Sequence, residues 1–128
     1  MFNHPDIAKL VLRLSVGILM MFHGIHKVIH GITGIKSMTS SAGLPEFFAY
    51  GVFVGELIAP IFIILGLYAR VAAAVLGFNM LVAIGLAYGF SFSLTKHGGL
   101  AMELPLMFLI MSVLIILLGS GKYAVNSK

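Results

Sequence analysis

Glu56 is the only charged residue between Glu46 and Arg70, and it lies in the middle of an otherwise apolar run. A carboxylate in such a run is costly unless it is protonated, paired with a cation or hydrated. Ionisable groups inside apolar spans therefore mark sites of proton transfer, ligand contact or ion pairing. The first apolar run carries the complementary groups Arg13, His23, His26, Lys27 and His30. At ~100° per residue, His23, Lys27 and His30 share one helical face, with Arg13 on its flank and His26 furthest away. Gly17 and Gly24 fall on the same stripe, where small residues let a second helix come close. Asn79 stands at a depth similar to Glu56 in a third run, and Glu103 opens a fourth. Together these groups could take part in proton transfer or contact a ligand or substrate. They are expected to meet as a polar column running from mid-helix to one end of the bundle.

Each residue also has a purely structural reading. Glu56 could lock helix register by pairing with Lys27 or Arg13. Arg13 reads as a snorkelling cation at a membrane face. Glu103, two residues before Pro105, suits the positive end of a helix. Asn79 suits interhelical hydrogen bonding. His26 and His30 have the i, i+4 spacing of a chelating pair, but two histidines at a helix end make an incomplete ligand set. A haem between helices would want a second intramembrane histidine, and the later runs have none, since His97 lies in a loop. Metal and haem are therefore disfavoured. Met20, Met21, Met80, Met107 and Met111 lack a close Met-x-Met pattern and read as packing.

The elements that position these groups are four apolar stretches near the ~20 residues that cross a bilayer. They cover about 7–29, 45–67, 71–90 and 100–118. Asn3-His4-Pro5-Asp6 and Leu44-Pro45-Glu46 read as helix starts, with proline and an acid in the first turn. Residues 31–45 are rich in Gly, Ser and Thr and form a connection long enough for a short interfacial helix. Pro60 should kink the second span or free a carbonyl. Tyr68-Ala69-Arg70 is short enough to make spans two and three an antiparallel hairpin. Gly119-Ser120-Gly121-Lys122 closes the fourth with glycine and a cation.

Composition agrees. Of 128 residues, 60% are hydrophobic and 9% charged, against about 25% charged in soluble domains. Mean hydropathy is +1.11. The expectation is an all-α membrane protein of one domain, residues 1–128, whose four transmembrane helices form a bundle within the lipid bilayer. With no cysteine, thiol relays and thiolate metal sites are excluded from this sequence. No basic, aromatic-interleaved stretch suggests nucleic acid. Ser40-Ser41-Ala42 loosely resembles a signal-peptide cleavage site, but the preceding apolar region is too long, so the first span reads as a retained helix. Lys9, Arg13, Arg70, Lys122 and Lys128 fall at one set of helix ends and Lys27, Lys36 and Lys96 at the other. That bias favours cytoplasmic termini in a multi-pass protein of the bacterial cytoplasmic (inner) membrane.

In order along the chain, Leu12-Arg13-Leu14, Phe22-His23-Gly24-Ile25-His26-Lys27, Gly55-Glu56 and Gly66-Leu67-Tyr68-Ala69-Arg70 form a recognisable series. Gly98-Gly99 with Glu103, and Gly119-Ser120-Gly121-Lys122-Tyr123, continue it. The set resembles the DoxX family of small bacterial membrane proteins. The resemblance implies a four-helix membrane fold and an association with oxidoreductases, since the namesake group is similar to a small subunit of a thiosulfate:quinone oxidoreductase. Family likeness carries fold better than chemistry, and no catalytic motif is visible in these residues.

Three readings follow. In the first, a redox-associated component or oxidoreductase subunit binds a quinone or another small amphipathic molecule, with Glu56 and His23 facing its oxygen and Lys27, Asn79, Glu103 and Arg13 in support. Any electron transfer would then need a borrowed cofactor or a redox partner subunit. The second is a small-solute or proton transporter, in which a homo-oligomer would assist alternating access. The third is a non-catalytic assembly subunit whose charges only fix helix register.

Overall fold

The computed structural model describes residues 4–128. It contains five helices: α1 (Pro5–His30), α2 (Thr33–Ser41), α3 (Glu46–Leu65), α4 (Ala69–Tyr88) and α5 (Glu103–Leu118). No strand occurs among the described residues, only an isolated antiparallel bridge between Leu94 and Leu100. Three helices, α1, α3 and α4, are long and apolar enough to cross a membrane. At 16 residues, α5 spans ~24 Å, short of a ~30 Å hydrocarbon core. Phe22, Ile29, Phe78 and Leu117 are among many large apolar side chains left exposed, a surface suited to lipid rather than water.

Proline and Asp6 occupy the first turn of α1 as the sequence suggests; the Asn3 part of that start signal lies outside the described residues. Helix ends differ from the expected ones where glycine intervenes. α3 stops at Leu65 because Gly66 turns left-handed (φ 72°), and α4 stops at Tyr88 because Gly89 does the same (φ 59°). α5 begins three residues later than expected because the preceding segment is held in a tight hairpin. There the Thr95 amide donates to the Gly99 carbonyl (2.7 Å) and that of Ala101 to Ser93 (3.0 Å).

α3 is not uniform. It opens with a 3-10 turn (Glu46–Tyr50), passes through a π turn (Val54–Ile58) and finishes as an α-helix (Ala59–Leu65). The Ala59 amide reaches back five residues to the Val54 carbonyl. Pro60 has no amide hydrogen, so the Glu56 carbonyl lacks its ordinary helical donor. Gly24 of α1 sits directly on that carbonyl, and Gly17 lies against the Pro60 carbonyl and Ile64. The glycine stripe of α1 is thus the face that packs, and it packs on the irregular part of α3. A methyl group at Gly24 would collide with the Glu56 carbonyl, which is backbone and cannot swing aside. Gly24→Ala is expected to cost about 1–3 kcal/mol through overpacking, read as a lower unfolding temperature in detergent. An unchanged transition would mean that the two helices are free to separate there.

Between the helices, Val16, Met20, Ile63, Leu76, Met80, Phe108 and Ile115 form the main buried cluster. A smaller one, Ile32 with Ala49 and Val52, seats the α2 segment on the first turns of α3, and the Lys36 ammonium stands 4.7 Å over the Tyr50 ring. At the other end, the start of α1, the α3–α4 turn and the C-terminal segment meet. The Lys122 amide donates to Asp6 Oδ1 (3.1 Å), and the Val125 and Asn126 amides donate to the Leu65 and Gly66 carbonyls. Among the described residues one end is thus tied together, while at the other α2 packs on the start of α3.

Candidate functional site

Lys27 lies one turn from the end of α1. Side chains on a helix lean toward its N-terminus, so the Lys27 ammonium reaches down into the bundle rather than out of it. Glu56 enters from the π turn of α3, ~15 Å along the helix from Glu46. The two meet, with Lys27 Nζ 2.5 Å from Oε1 and 2.6 Å from Oε2 of Glu56. Asn79 Nδ2 of α4 donates a third hydrogen bond to Oε2 at 3.0 Å. Asn79 comes this close because residue 55 is glycine: a Cβ there would stand 2.6 Å from the Asn79 side chain. Glu56 is almost fully buried, whereas the Lys27 side chain keeps 27% of its exposure. A buried pair gains little net stability over apolar packing, because desolvation offsets its attraction. With Asn79 it joins α1, α3 and α4 at one level.

The exposed side of Lys27 opens into a cavity of about 350 Å³, within the range of small-ligand sites. Lys27, Glu56 and Asn79 form its floor and His23 part of one wall, while Met20, Met80, Leu86, Phe108 and, from the covering segment, Met38 and Phe48 supply apolar surface. The His23 ring meets Phe108 edge-on, with centroids 5.9 Å apart. The chemistry available is therefore hydrogen bonding and charge at the bottom of a greasy pocket.

Of the residues singled out in the sequence, His23, Lys27, Glu56 and Asn79 share this cavity. Glu103 does not. It is exposed in the first turn of α5, beside Gly99, and makes no hydrogen bond to the cluster among the described residues. Its neighbours Leu104 and Pro105 line the cavity instead, so the expected polar column ends at Lys27. His26 and His30 stack at 4.2 Å, and among the described residues no third metal-ligating side chain joins them.

Arg13 corrects the snorkelling expectation. It is buried (1% exposed), and all five of its N–H groups donate to backbone carbonyls. Nε binds Ile63 (3.2 Å), Nη1 binds Ser120 and Tyr123 (2.8 and 2.9 Å), and Nη2 binds Ile64 and Tyr123 (3.3 and 2.9 Å). The last carbonyls of a helix lack intrahelical donors and carry its negative dipole end. Arg13 supplies both needs for α3 while binding the C-terminal segment to it. It closes the tied end and lies away from the cavity.

The apolar wall residues escaped notice in the sequence because an aliphatic or aromatic residue has no contrast in an apolar chain. Met20 and Met80 were read as packing, and both are buried in the core. Their second role at the cavity has no signal in sequence. Tyr88, which also lines the cavity, carried a weak one as the last polar-tipped residue before Gly89.

Comparison with known proteins bears on the family. A protein of Bacillus subtilis (strain 168) named "Putative oxidoreductase CatD" is 33% identical over 79 residues, which is 62% of this chain and 58% of that protein. The chain thus spans less than two thirds of that relative's length. No solved structure matches the chain. The DoxX family profile matches residues 8–92, a stretch that holds His23, Lys27, Glu56 and Asn79 but ends before Glu103. With about two thirds of its length matched and its apolar helices in keeping, this chain is a membrane protein that belongs to the DoxX family.

Proposed function

We propose that this protein is a redox-associated membrane component that binds a quinone-like or other small amphipathic molecule in the cavity above Glu56. The observation that carries the reading is the cavity itself, an apolar chamber whose floor is the Lys27–Glu56–Asn79 cluster. A flat ring fits apolar walls, and its oxygen can accept from the Lys27 ammonium or His23. The likeness to a protein named as an oxidoreductase supports a redox setting. Electrons would come from a partner subunit or a bound cofactor, with the cavity holding the acceptor.

In this reading α5 makes a fourth crossing, its 16 residues extended by the flanking segments. Lys9, Arg13, Arg70, Lys122 and Lys128 belong to the segments that meet at the tied end. The positive-inside bias supports placing that end at the cytoplasmic face of the bacterial inner membrane. A transport reading draws on one feature, the π turn ahead of Pro60 at Glu56, since broken helices at mid-membrane often mark solute sites. The hydrogen-bonded closure around Arg13 leaves that passage one mouth, which favours binding over permeation.

Purified protein in nanodiscs is expected to bind a short-tail ubiquinone, and the double variant Lys27→Met/Glu56→Gln, which removes the ammonium donor without stranding the carboxylate, should weaken that binding on the order of tenfold, the worth of one hydrogen bond to a charged group. Equilibrium titration checks it. Binding that is unchanged in the variant removes Lys27 from the role; absence of binding in the native chain removes the quinone.

A further inference from the structure

The charges on the cavity floor cancel. Among the lining residues Lys27 and Glu56 carry opposite formal charges, and the remainder are uncharged side chains apart from the titratable His23 and Tyr88. Two of the three Lys27 N–H groups are engaged by the two Glu56 oxygens. One N–H of this cavity-lining residue therefore remains unengaged by Glu56. Asn79 spends one of its two amide N–H groups on Glu56, and its Oδ1, like both His23 ring nitrogens, makes no hydrogen bond among the described residues. The cavity thus offers a donor, an acceptor and an imidazole, with no net charge behind them.

We propose that the ligand's head group is electrically neutral, a carbonyl or hydroxyl oxygen, and that Glu56 enforces this by neutralising Lys27. The inference rests on the cavity being a ligand site, as above. An anionic head group that accepts from Lys27 also comes within a few ångströms of the Glu56 carboxylate, which already holds that ammonium. A cationic head meets Lys27 first. In apolar surroundings a like charge a few ångströms away is repelled far more strongly than in water, and the incoming ion loses its own hydration as well. A neutral oxygen suffers neither. Glu56 is thus a specificity-determining residue: it converts what a lone lysine would make, an anion receptor, into a receptor for uncharged polar groups.

The test uses one scaffold in two charge states, 1,4-naphthoquinone and its 2-sulfonate, which the chain has no cysteine thiol to add to. Dissociation constants are measured for the native chain, for Glu56→Gln and for the uncharged double variant Lys27→Met/Glu56→Gln. The sulfonate-to-quinone affinity ratio of the native chain should match that of the double variant within about threefold, and Glu56→Gln should raise it on the order of tenfold or more. A native ratio well above that of the double variant would show Lys27 acting as an anion site and overturn the proposal, whether or not Glu56→Gln folds. A ratio unmoved by Glu56→Gln overturns it too. Binding of neither probe to the native chain is a different failure, since it removes the cavity as a ligand site and this proposal with it.

Discussion

Arg13→Met is expected to destabilise the fold by about 3–5 kcal/mol. Four carbonyls share the five guanidinium donors, and since that of Ile63 also accepts from the Gly66 amide (3.2 Å), Ile64, Ser120 and Tyr123 are the three left without one. Each buried carbonyl left without a donor costs about 1–3 kcal/mol, and in surroundings poor in water the penalty is not readily relieved. The sum is reduced because the end of the bundle can loosen and admit solvent, hence a value at its lower end. Arg13→Lys should recover only part of the loss, since an ammonium has three donors on a point charge where the guanidinium has five in a planar fork. Thermal unfolding in detergent with a probe on the C-terminal segment reads both effects. That segment should detach first, because Arg13 binds Ser120 and Tyr123 across more than a hundred residues of chain. Full stability in Arg13→Met would show that the carbonyls find other donors.

The second large effect is asymmetric. Lys27→Met should cost about 3–5 kcal/mol, the range for stranding one member of a buried pair, while Glu56→Gln should cost less. The Glu56 side chain is 3% exposed and that of Lys27 27%. Deleting the lysine therefore leaves a buried carboxylate whose one remaining donor among the described residues is Asn79. Deleting the carboxylate leaves an ammonium that can turn into the cavity. The double variant Lys27→Met/Glu56→Gln should regain most of the loss, because apolar or neutral replacements of both partners are often tolerated. A double-mutant cycle measured by chemical or thermal unfolding isolates the coupling. Additive losses would mean that the two side chains do not act as a pair.

How far the sequence could be read depended on contrast. Glu56 and Asn79 stood out because polar letters are rare in apolar runs, and the helical wheel of α1 grouped Lys27 with His23 correctly. Gly17 and Gly24 marked the packing face because their small size falls on the same stripe as the charges. Arg13 was misjudged because its partners are backbone carbonyls, which no letter records, and because two of them belong to a C-terminal segment that read only as a helix stop. Glu103 matched the others in depth along its helix, but depth does not report direction, and at the first turn of α5 it faces outward. The π turn was half visible: Pro60 announced a freed carbonyl, while the five-residue reach of Ala59 left no mark. The walls of the cavity, Phe108 and Met80 among them, could not be separated from any other apolar residue.

That π turn also decides how α3 can be altered. A ring closed over five residues holds one residue more than its α-helical counterpart, and one residue is ~100° of rotation. The stretch before Val54 and the stretch after Ile58 are therefore out of phase, and no single helical wheel drawn through Glu46–Leu65 assigns both correctly. The turn acts as a clutch between two halves of one rod. The Arg13 end can keep its alignment with α1 while the other half takes the angle that aims Glu56 at Lys27.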